Sequence, residues 1–386
     1  MRPGVRSAPP APSVAALRGA SRPADRGGWR ELSAICAQSL RAASLCPALG
    51  GRPRSPAAGR SLLALVLMVA VAASGTGRAL AQAGPAGTVT ETELATAIAR
   101  ALDWIEAHPA TLQDGGFIDI VDEAVAFLVL YNFSRRPDDR SRFAAALRDR
   151  LSALEQLPAF EAWVYAQPKS LMDHYHLVLT AHLMQLADRP SAFQASIVAQ
   201  AQRALLATPQ ASPTVRLTVV AFLEYLDGVP PGRVNALLAD SVVAQVARAG
   251  LPALPAQAAE DPKQITTLLL SALVHEVIAL TDFGRLPPSP WLSERRAALL
   301  PSLVDAVHWA STARNIDLAC ELVMTAGFLG ERLRAELRGL AQALVASQQP
   351  DGTWGASPTT PRQNKQRHTV LTATAILWAY ANQRDD

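Results

Sequence analysis

Polar side chains that could carry chemistry occur inside otherwise apolar helical segments. Asp317, Cys320 and Glu321 lie within two turns of one predicted helix, His275 lies in another, and His368 begins a third. Carboxyl and imidazole groups can exchange protons with a ligand when their pKa values lie near the working pH. Carboxylates, imidazoles and thiolates also bind metal ions. These residues therefore predict an acid–base or metal site, with His275 or Glu321 as the acid–base residue.

Three more polar residues are expected to line the same cleft. Asp173 and His176 lie three positions apart, and Asp282 ends the segment that contains His275. Positions three or four apart share one face of a helix. Ionisable groups are expensive to bury unless they pair, bind a ligand or meet water. We therefore expect a hydrated, polar cleft.

Structural interpretations of the same residues stay open. Asp317 could be a first-turn acid favoured by the helix dipole, and Cys320 could be a small core residue. His275 could be a core histidine that pairs with Asp317 or Asp282, and Asp173 could simply neutralise the imidazole three residues later. The packing of the helices decides between these roles.

Helical periodicity is nearly continuous from Thr90 onward, and strand-like alternation is absent. Odd-numbered segments are amphipathic, as expected of an outer layer, whereas even-numbered segments are apolar nearly all round, as expected of an inner layer. Six such pairs predict an all-α fold, an α/α toroid of about six helix pairs, with an open α-solenoid as the alternative. The predicted segments cover 90–108, 119–133, 137–154, 170–187, 190–208, 212–226, 230–249, 262–282, 291–312, 314–329, 330–347 and 367–382.

The first 81 residues differ in composition from the rest. Residues 1–60 are rich in Ala, Pro, Gly and Arg without an apolar period, which predicts a disordered basic leader. Residues 61–81 combine an apolar run with a small-residue A-x-A site, which predicts a cleaved signal peptide. We therefore expect the toroid domain over 82–386 to be exported, either periplasmic or secreted. A retained membrane anchor is the alternative.

Charge and cysteine content restrict the partners of the exported domain. Residues 82–386 contain 25 basic and 31 acidic residues, so their net charge is −6, compared with +3 for the whole chain. This balance gives no support to a nucleic-acid partner. Cys320 is the one cysteine left, so no internal disulfide is expected. No stable membrane span is expected after signal cleavage.

Several enzyme signatures are missing from the sequence. The H-E-x-x-H pattern of zinc proteases fails after His275 and Glu276, because Ala279 stands where the second histidine belongs. Neither a G-x-S-x-G elbow nor a phosphate-binding loop is present. Aromatic residues make up 5% of the chain, which argues against a carbohydrate-stacking cleft.

Two family resemblances add expectations. The loop over 348–354 resembles the Q-x-x-D-G-x-W turn of the terpenoid-cyclase and protein-prenyltransferase superfamily, whose members are α/α toroids. The stretch over 275–284 reads H-x-x-x-x-L-T-D-F-G. It resembles an uncharacterised bacterial α/α-toroid domain family with a similar stretch, a resemblance that implies no known activity.

The prenyltransferase resemblance implies zinc as a cofactor, with Asp317, Cys320 and His368 as ligands. In that superfamily Asp, Cys and His hold a zinc ion whose fourth ligand is a substrate thiolate. The spacing here is D-x-x-C on a predicted helix, whereas the superfamily has D-x-C.

Two classes of function follow from these observations. The first is an exported helical toroid that binds a small molecule or peptide in a polar central cleft, with metal dependence as a further expectation. The second is a non-catalytic protein-interaction scaffold, in which the buried polar side chains only set the register of the helices. No residue pattern names a substrate or a reaction.

Overall fold

The regular structure is entirely helical in the part of the chain that the computed structural model describes, which comprises residues 89–112, 116–167, 169–254, 265–313, 315–354 and 363–383. The predicted all-α fold is therefore confirmed. The expected leader over 1–60 and signal peptide over 61–81 lie outside the described residues. Among the helices within these ranges, none is long and apolar enough to cross a membrane.

Thirteen α-helices and one 3-10 helix make up the described chain. In order they are α1 (Glu91–Ala107), α2 (Phe117–Phe133), α3 (Pro137–Glu155), α4 (Pro158–Tyr165), α5 (Leu171–Leu186), α6 (Gln194–Ala207), α7 (Pro213–Tyr225), the 3-10 helix (Arg233–Asp240), α8 (Val242–Ala249), α9 (Ile265–Thr281), α10 (Pro290–Thr312), α11 (Ile316–Phe328), α12 (Arg334–Ser347) and α13 (Gln363–Gln383).

The outer helices follow an amphipathic pattern. In α1, buried residues recur every three or four positions from Leu94 to Ile105, so one face packs inward while the charged face meets solvent. A capping box starts this helix. The Thr90 hydroxyl accepts from the Glu93 N–H at 3.2 Å, and the Glu93 carboxylate accepts from the Thr90 N–H at 2.8 Å.

The inner helices are apolar on nearly every side and are enclosed by other elements. In α11, for example, ten of the 13 residues are buried. The positions that are not fully buried are Asp317, Glu321 and Gly327. A helix that is hydrophobic all round needs packing partners on every side. The two acids therefore mark a polar environment within an otherwise dry layer.

Six inner helices form a closed layer. These are α2, α5, α7, α9, α11 and α13; each packs against the next in chain order, and α13 packs against α2. The remaining α-helices lie outside this layer. This arrangement matches the predicted α/α toroid of six pairs, whereas an open α-solenoid would leave its first and last inner helices apart.

Two local predictions were wrong. The segment expected as one helix over 230–249 is divided at Ser241, whose hydroxyl caps α8 by accepting from the Ala244 N–H at 3.0 Å. Helix α4 was not predicted, because it has only two turns and too few residues to show a helical period. It is held by the buried side chains of Phe160 and Val164, one turn apart.

The C-terminal ends of three inner helices, α2, α7 and α9, contact one another at one end of the ring. The Tyr225 hydroxyl of α7 donates to the Ala279 carbonyl of α9 at 2.7 Å. The Asn132 amide of α2 donates to the Phe283 carbonyl, just beyond α9, at 3.0 Å. Because residues near the C-terminal ends touch one another, these inner helices run in the same direction. Their N-terminal ends therefore meet at the opposite end of the ring.

The Q-x-x-D-G-x-W turn joins the last outer helix to the first. The Gln348 amide donates to the Ala97 carbonyl of α1 at 2.8 Å. The Trp354 indole is buried and donates to the Leu344 carbonyl of α12 at 2.8 Å. Gly352 has φ of 89° and lies directly against the backbone of Arg100. The turn therefore closes the outer layer.

Replacing Gly352 with alanine is expected to destabilise the fold by about 3 kcal/mol, measured by chemical denaturation. A Cβ at this position would lie 2.3 Å from the Arg100 carbonyl oxygen, and the positive φ is itself unfavourable for alanine. Gly250→Ala is the matched control, because its φ is 77° but nothing lies within 4 Å of the added Cβ. Equal losses in the two variants would contradict the role assigned to the close contact.

Candidate functional site

Ionisable side chains gather in one region of the ring, in the N-terminal half of each contributing inner helix except α9, in which His275 is nearer the C-terminal end. Ion pairs and mutual electrostatic effects connect them across five of the six inner helices. We call this group the polar cluster; its members are Asp122 on α2, Tyr175 and His176 on α5, His275 on α9, Asp317 and Glu321 on α11, and His368 on α13.

His368 stands between the two carboxylates of α11. Its Nδ1 lies 3.8 Å from Oδ1 of Asp317, and its Nε2 lies 3.5 Å from Oε1 of Glu321. Both distances exceed those of ordinary N–H···O hydrogen bonds. The His368 side chain is 34% exposed, and those of Asp317 and Glu321 are 21% and 17% exposed. All three side chains therefore keep partial contact with solvent.

His368 is a cation at neutral pH. Burial disfavours its charged form, but the carboxyl groups of Asp317, Glu321 and Asp122 outweigh that effect and raise the pKa of His368 to about 10. A protonated imidazole donates from both nitrogens and has no lone pair to offer. His368 therefore stabilises negative charge in the cluster and does not act as a base near pH 7.

Glu321 has the protonation behaviour expected of an acid–base group. Burial raises its pKa to about 7; the charge of His368 opposes this shift, and the neighbouring Asp317 and Asp122 reinforce it. Burial also raises the pKa of Asp122, again against the charge of His368. A carboxyl group with a pKa near 7 can both give and take a proton under physiological conditions.

Two imidazoles of the cluster are neutral and fixed by their own helices. His275 Nδ1 lies 2.8 Å from the Ser271 carbonyl, and a ring nitrogen of His176 bonds the Met172 carbonyl. Burial is the largest effect on both rings; it lowers the pKa of His176 to about 4 and also lowers the pKa of His275. Each ring donates one N–H to a carbonyl, so its other nitrogen is a hydrogen-bond acceptor.

Tyr175 completes the cluster as a neutral aromatic group. Burial raises the pKa of its phenol, and the charges of Asp122 and Glu321 raise it further. Its ring packs edge-on against His176, with centroids 4.9 Å apart. The phenol therefore stays protonated beside two carboxyl groups.

Cys320, Asp317 and His368 are not gathered as a preformed metal site in the part of the chain that the structure describes. Burial, followed by the charges of Asp317 and Glu321, holds the pKa of the Cys320 thiol well above its usual range, whereas zinc binds the thiolate. Across the described ranges, no group of three or more His, Cys, Asp or Glu side chains is placed to hold a metal ion. Zinc stays a prediction of the resemblance alone.

Asp173 closes the capping box of α5 and does not bond His176. Its Oδ2 accepts from the Ser170 N–H at 2.8 Å and from the Ser170 hydroxyl at 2.7 Å. The His176 ring instead bonds the carbonyl of Met172, and Asp173 acts on it only through its charge. A first-turn acid that satisfies a free N–H at the start of its helix explains Asp173 without a ligand.

Asp282 lies outside the cluster, at the far end of α9. Its side chain is 3% exposed; Oδ1 is 2.7 Å from His182 Nε2, and Oδ2 is 2.6 Å from Arg285 Nη1. Seven residues of helix separate it from His275, or about 10 Å along the helix axis. The expected cleft-lining position of Asp282 is therefore replaced by a buried ion pair at the closed end of the ring.

Asp122 and Tyr175 were missed as members of the site. The predicted start of the second helix at residue 119 put Asp122 in the first turn, where acids are common. Helix α2 begins at Phe117, two residues earlier, so Asp122 lies beyond the first turn. Two adjacent acids, Asp122 and Glu123, in the second turn of an apolar helix are the signal that could have revealed it.

A family model with the description Domain of unknown function (DUF6895) matches residues 98–379. The match covers most of the chain and every member of the polar cluster. The chain belongs to the DUF6895 family. No curated protein and no solved structure matches the chain. The DUF6895 match thus covers the inner helices α2 to α11 and α13 as far as residue 379, and it carries no activity with it.

An NMR titration is expected to show His368 of this DUF6895 domain protonated through pH 8, with its pKa near 10. Asp317→Asn should lower that pKa, because one stabilising carboxylate is removed. By linkage, the raised pKa contributes stability that is present in full below the unfolded-state value of 6.5 and is lost as the pH rises through about 10. Titration of the His368 ring near 6.5 would contradict the ion-paired geometry.

Proposed function

We propose that this DUF6895 domain binds a small molecule or peptide at the open, N-terminal end of its helical ring, and that Glu321 exchanges a proton with the bound ligand. The observation that carries the proposal is the solvent access of Glu321 and His368, two ion-paired groups within a layer that is otherwise dry. Buried structural ion pairs in this chain, such as His182 with Asp282, are sealed from solvent. Accessible ionisable groups inside a ring have the properties of a ligand site.

The ionisable groups of the polar cluster differ in whether their charge changes near neutral pH. His368 is a permanent cation near pH 7, while the neutral rings of His176 and His275 are held by backbone carbonyls. Glu321 is the group whose charge changes in this range. A ligand that binds beside Glu321 can therefore receive its proton or lose one to it.

We further propose that the domain is exported. The signal-peptide pattern over 61–81 and the acidic balance of the remaining chain support this localisation. The similarity of the Q-x-x-D-G-x-W turn and of the closed ring to the terpenoid-cyclase and protein-prenyltransferase superfamily also belongs to the proposal. It supports a central cleft as the binding place without naming a reaction.

Ligand-observed NMR with a library balanced between cationic, neutral and anionic small molecules tests the proposed site. Glu321→Gln and His275→Gln are expected to weaken the binding of cleft ligands by about tenfold or more, or about 1.4 kcal/mol. The matched controls are Glu294→Gln and His308→Gln on α10, whose side chains are 75% and 68% exposed; they should leave binding unchanged. A screen without any ligand that depends on Glu321 or His275 would contradict the proposal.

An interaction scaffold is the second candidate, favoured by a surface groove between α4 and α6. The groove has a cavity volume of about 510 Å³ and is lined by Tyr165, Gln200 and Arg203, among others. Tyr165 is 52% exposed, and Leu206 on the same outer helix as Arg203 is 83% exposed. If the protein is an interaction scaffold, substitutions of Tyr165 and Leu206 should reduce partner binding, and substitution of Glu321 should have no effect.

A further inference from the structure

We propose that the groove between α4 and α6 binds an organic anion, whose carboxylate or phosphate group pairs with Arg203 and whose short apolar part lies along the alanines of α6. This site is separate from the central cleft, and the inference does not depend on Glu321. It follows from the size of the groove, from the hydrogen-bond donors that line it and from its unpaired positive charge.

The groove has the size of a small-molecule site. Its cavity volume is about 510 Å³, and such sites measure about 300–1,000 Å³. Tyr165, at the end of α4, lines one side, and Ala195 and Ala199 of α6 line the other. The two alanines have short side chains, so space remains between the helices. They and the Tyr165 ring, which is 52% exposed, provide a surface for the apolar part of a ligand.

The polar side chains of the groove offer more hydrogen-bond donors than they use. The Gln167 amide donates to the side-chain oxygen of Gln200 at 3.3 Å, while the NH₂ group of Gln200 itself has no acceptor among the described residues. The hydroxyl oxygens of Tyr165 and Ser196 are 3.4 Å apart. Only one of these hydroxyls can donate to the other, so the second keeps a proton to donate. A ligand rich in acceptors can pair with these donors.

Arg203 gives the groove an unpaired positive charge. Its side chain is exposed, and it has neither an ion pair nor a hydrogen bond in the part of the chain that the structure describes. Within that part, no acidic side chain lines the groove. Gln200 lies three positions before Arg203, so the free amide and the guanidinium share one face of α6.

A second cation lies near Arg203. Burial and the charges of Lys169 and Arg203 lower the pKa of His174 to about 4, so both cations lie near this ring. Asp173 acts on the same ring in the opposite direction, but its carboxylate accepts from the Ser170 N–H and hydroxyl in the capping box of α5. The charge of Arg203 is therefore not neutralised by a neighbouring carboxylate.

An anionic group fits these features better than a cationic or neutral one. A guanidinium forms two parallel hydrogen bonds with a carboxylate or phosphate group, and the Gln200 amide can add a third. A cationic ligand would be repelled by Arg203, and a neutral one would leave its charge unpaired. Carboxylates and phosphate monoesters share the required chemistry.

Isothermal titration calorimetry with four small probes at constant ionic strength tests the inference on the full chain. The probes are butyrate, monobutyl phosphate, n-butylamine and n-butanol, which share a four-carbon chain and differ in head group. We expect saturable binding of at least one anion with Kd below about 10 mM, and none of the amine or the alcohol. Arg203→Gln should weaken anion binding by about tenfold or more. Ala199→Leu, which fills the groove without a change of charge, should weaken it as well.

Two control variants should leave anion binding unchanged. Arg338→Gln is the matched control, because Arg338 is also an exposed arginine of an outer helix, α12, without a partner among the described residues. Glu321→Gln alters the central cleft and leaves the groove intact, so the outcome for the groove is independent of the outcome for the cleft.

Binding of butyrate alone would assign the groove to carboxylates, and binding of monobutyl phosphate alone would assign it to phosphate monoesters. Failure of both anions to bind would overturn the inference, as would equal binding by wild type and Arg203→Gln or by wild type and Ala199→Leu. Amine or alcohol binding as tight as anion binding would also overturn it. Anion binding that is lost in Glu321→Gln but kept in Arg203→Gln would place the anion in the cleft and exclude the groove.

Discussion

Replacing Glu123 with alanine is expected to lower the free energy of unfolding by about 3–5 kcal/mol, because the change leaves buried arginine unpaired. The Glu123 side chain is fully buried. Its Oε1 lies 2.9 Å from Arg150 Nε, and its Oε2 lies 3.8 Å from Arg367 Nη1 and 2.8 Å from the Ala110 N–H. Arg367 is 8% exposed and would lose its carboxylate partner in surroundings that exclude solvent.

Chemical denaturation measures the effect of Glu123→Ala, with an exposed ion pair as the control. Glu106 and Arg142 pair at 2.6 Å, but their side chains are 59% and 50% exposed. Glu106→Ala should therefore cost about 1 kcal/mol or less. A loss of similar size in the two variants would show that burial of Arg367 does not stabilise the closed ring.

The Glu123 network has a structural role in closing the ring. Glu123 belongs to α2, Arg150 to α3 and Arg367 to α13. The Arg367 guanidinium also donates to the His108 carbonyl after α1 and lies 5.7 Å from the centre of the Trp104 ring. The first and last helix pairs are therefore held together by one buried carboxylate.

Asp282→Ala is the second substitution with a large expected effect, again about 3–5 kcal/mol. Asp282 pairs with His182 at 2.7 Å and with Arg285 at 2.6 Å, and its side chain is 3% exposed. Its loss would leave His182 buried without its partner. It would also place alanine at φ of 49°, which disfavours residues that have a Cβ and lack a short polar side chain.

Asp188→Ala separates the backbone effect from the ion-pair effect. Asp188 also has positive φ, 57°, but it is exposed at the end of α5. Its substitution should cost about 1 kcal/mol, measured by the same denaturation experiment. If Asp282→Ala costs no more than Asp188→Ala, the buried pair with His182 does not contribute to stability.

Asp282 also shows what the H-x-x-x-x-L-T-D-F-G stretch does in the fold. Its first residue, His275, belongs to the polar cluster, while its last three residues all have positive φ and end α9 at the closed end of the ring. Phe283 is buried and stacks on Phe222 of α7, with centroids 6.0 Å apart. One helix therefore carries a residue of the polar cluster, and the segment that follows its C-terminal end has a structural role.

The local sequence determined the helices of this protein, and tertiary packing determined its site. Amphipathic and apolar periods depend on neighbours three and four positions away, so they predicted the helix pairs from α1 to α13 except for the two-turn α4 and the break at Ser241. The direction in which an inner helix turns its polar side chains depends on helices far away in the chain. Only the tertiary structure therefore shows that His368 lies beside Glu321. It likewise shows that Asp122 belongs to the polar cluster and that Asp282 does not.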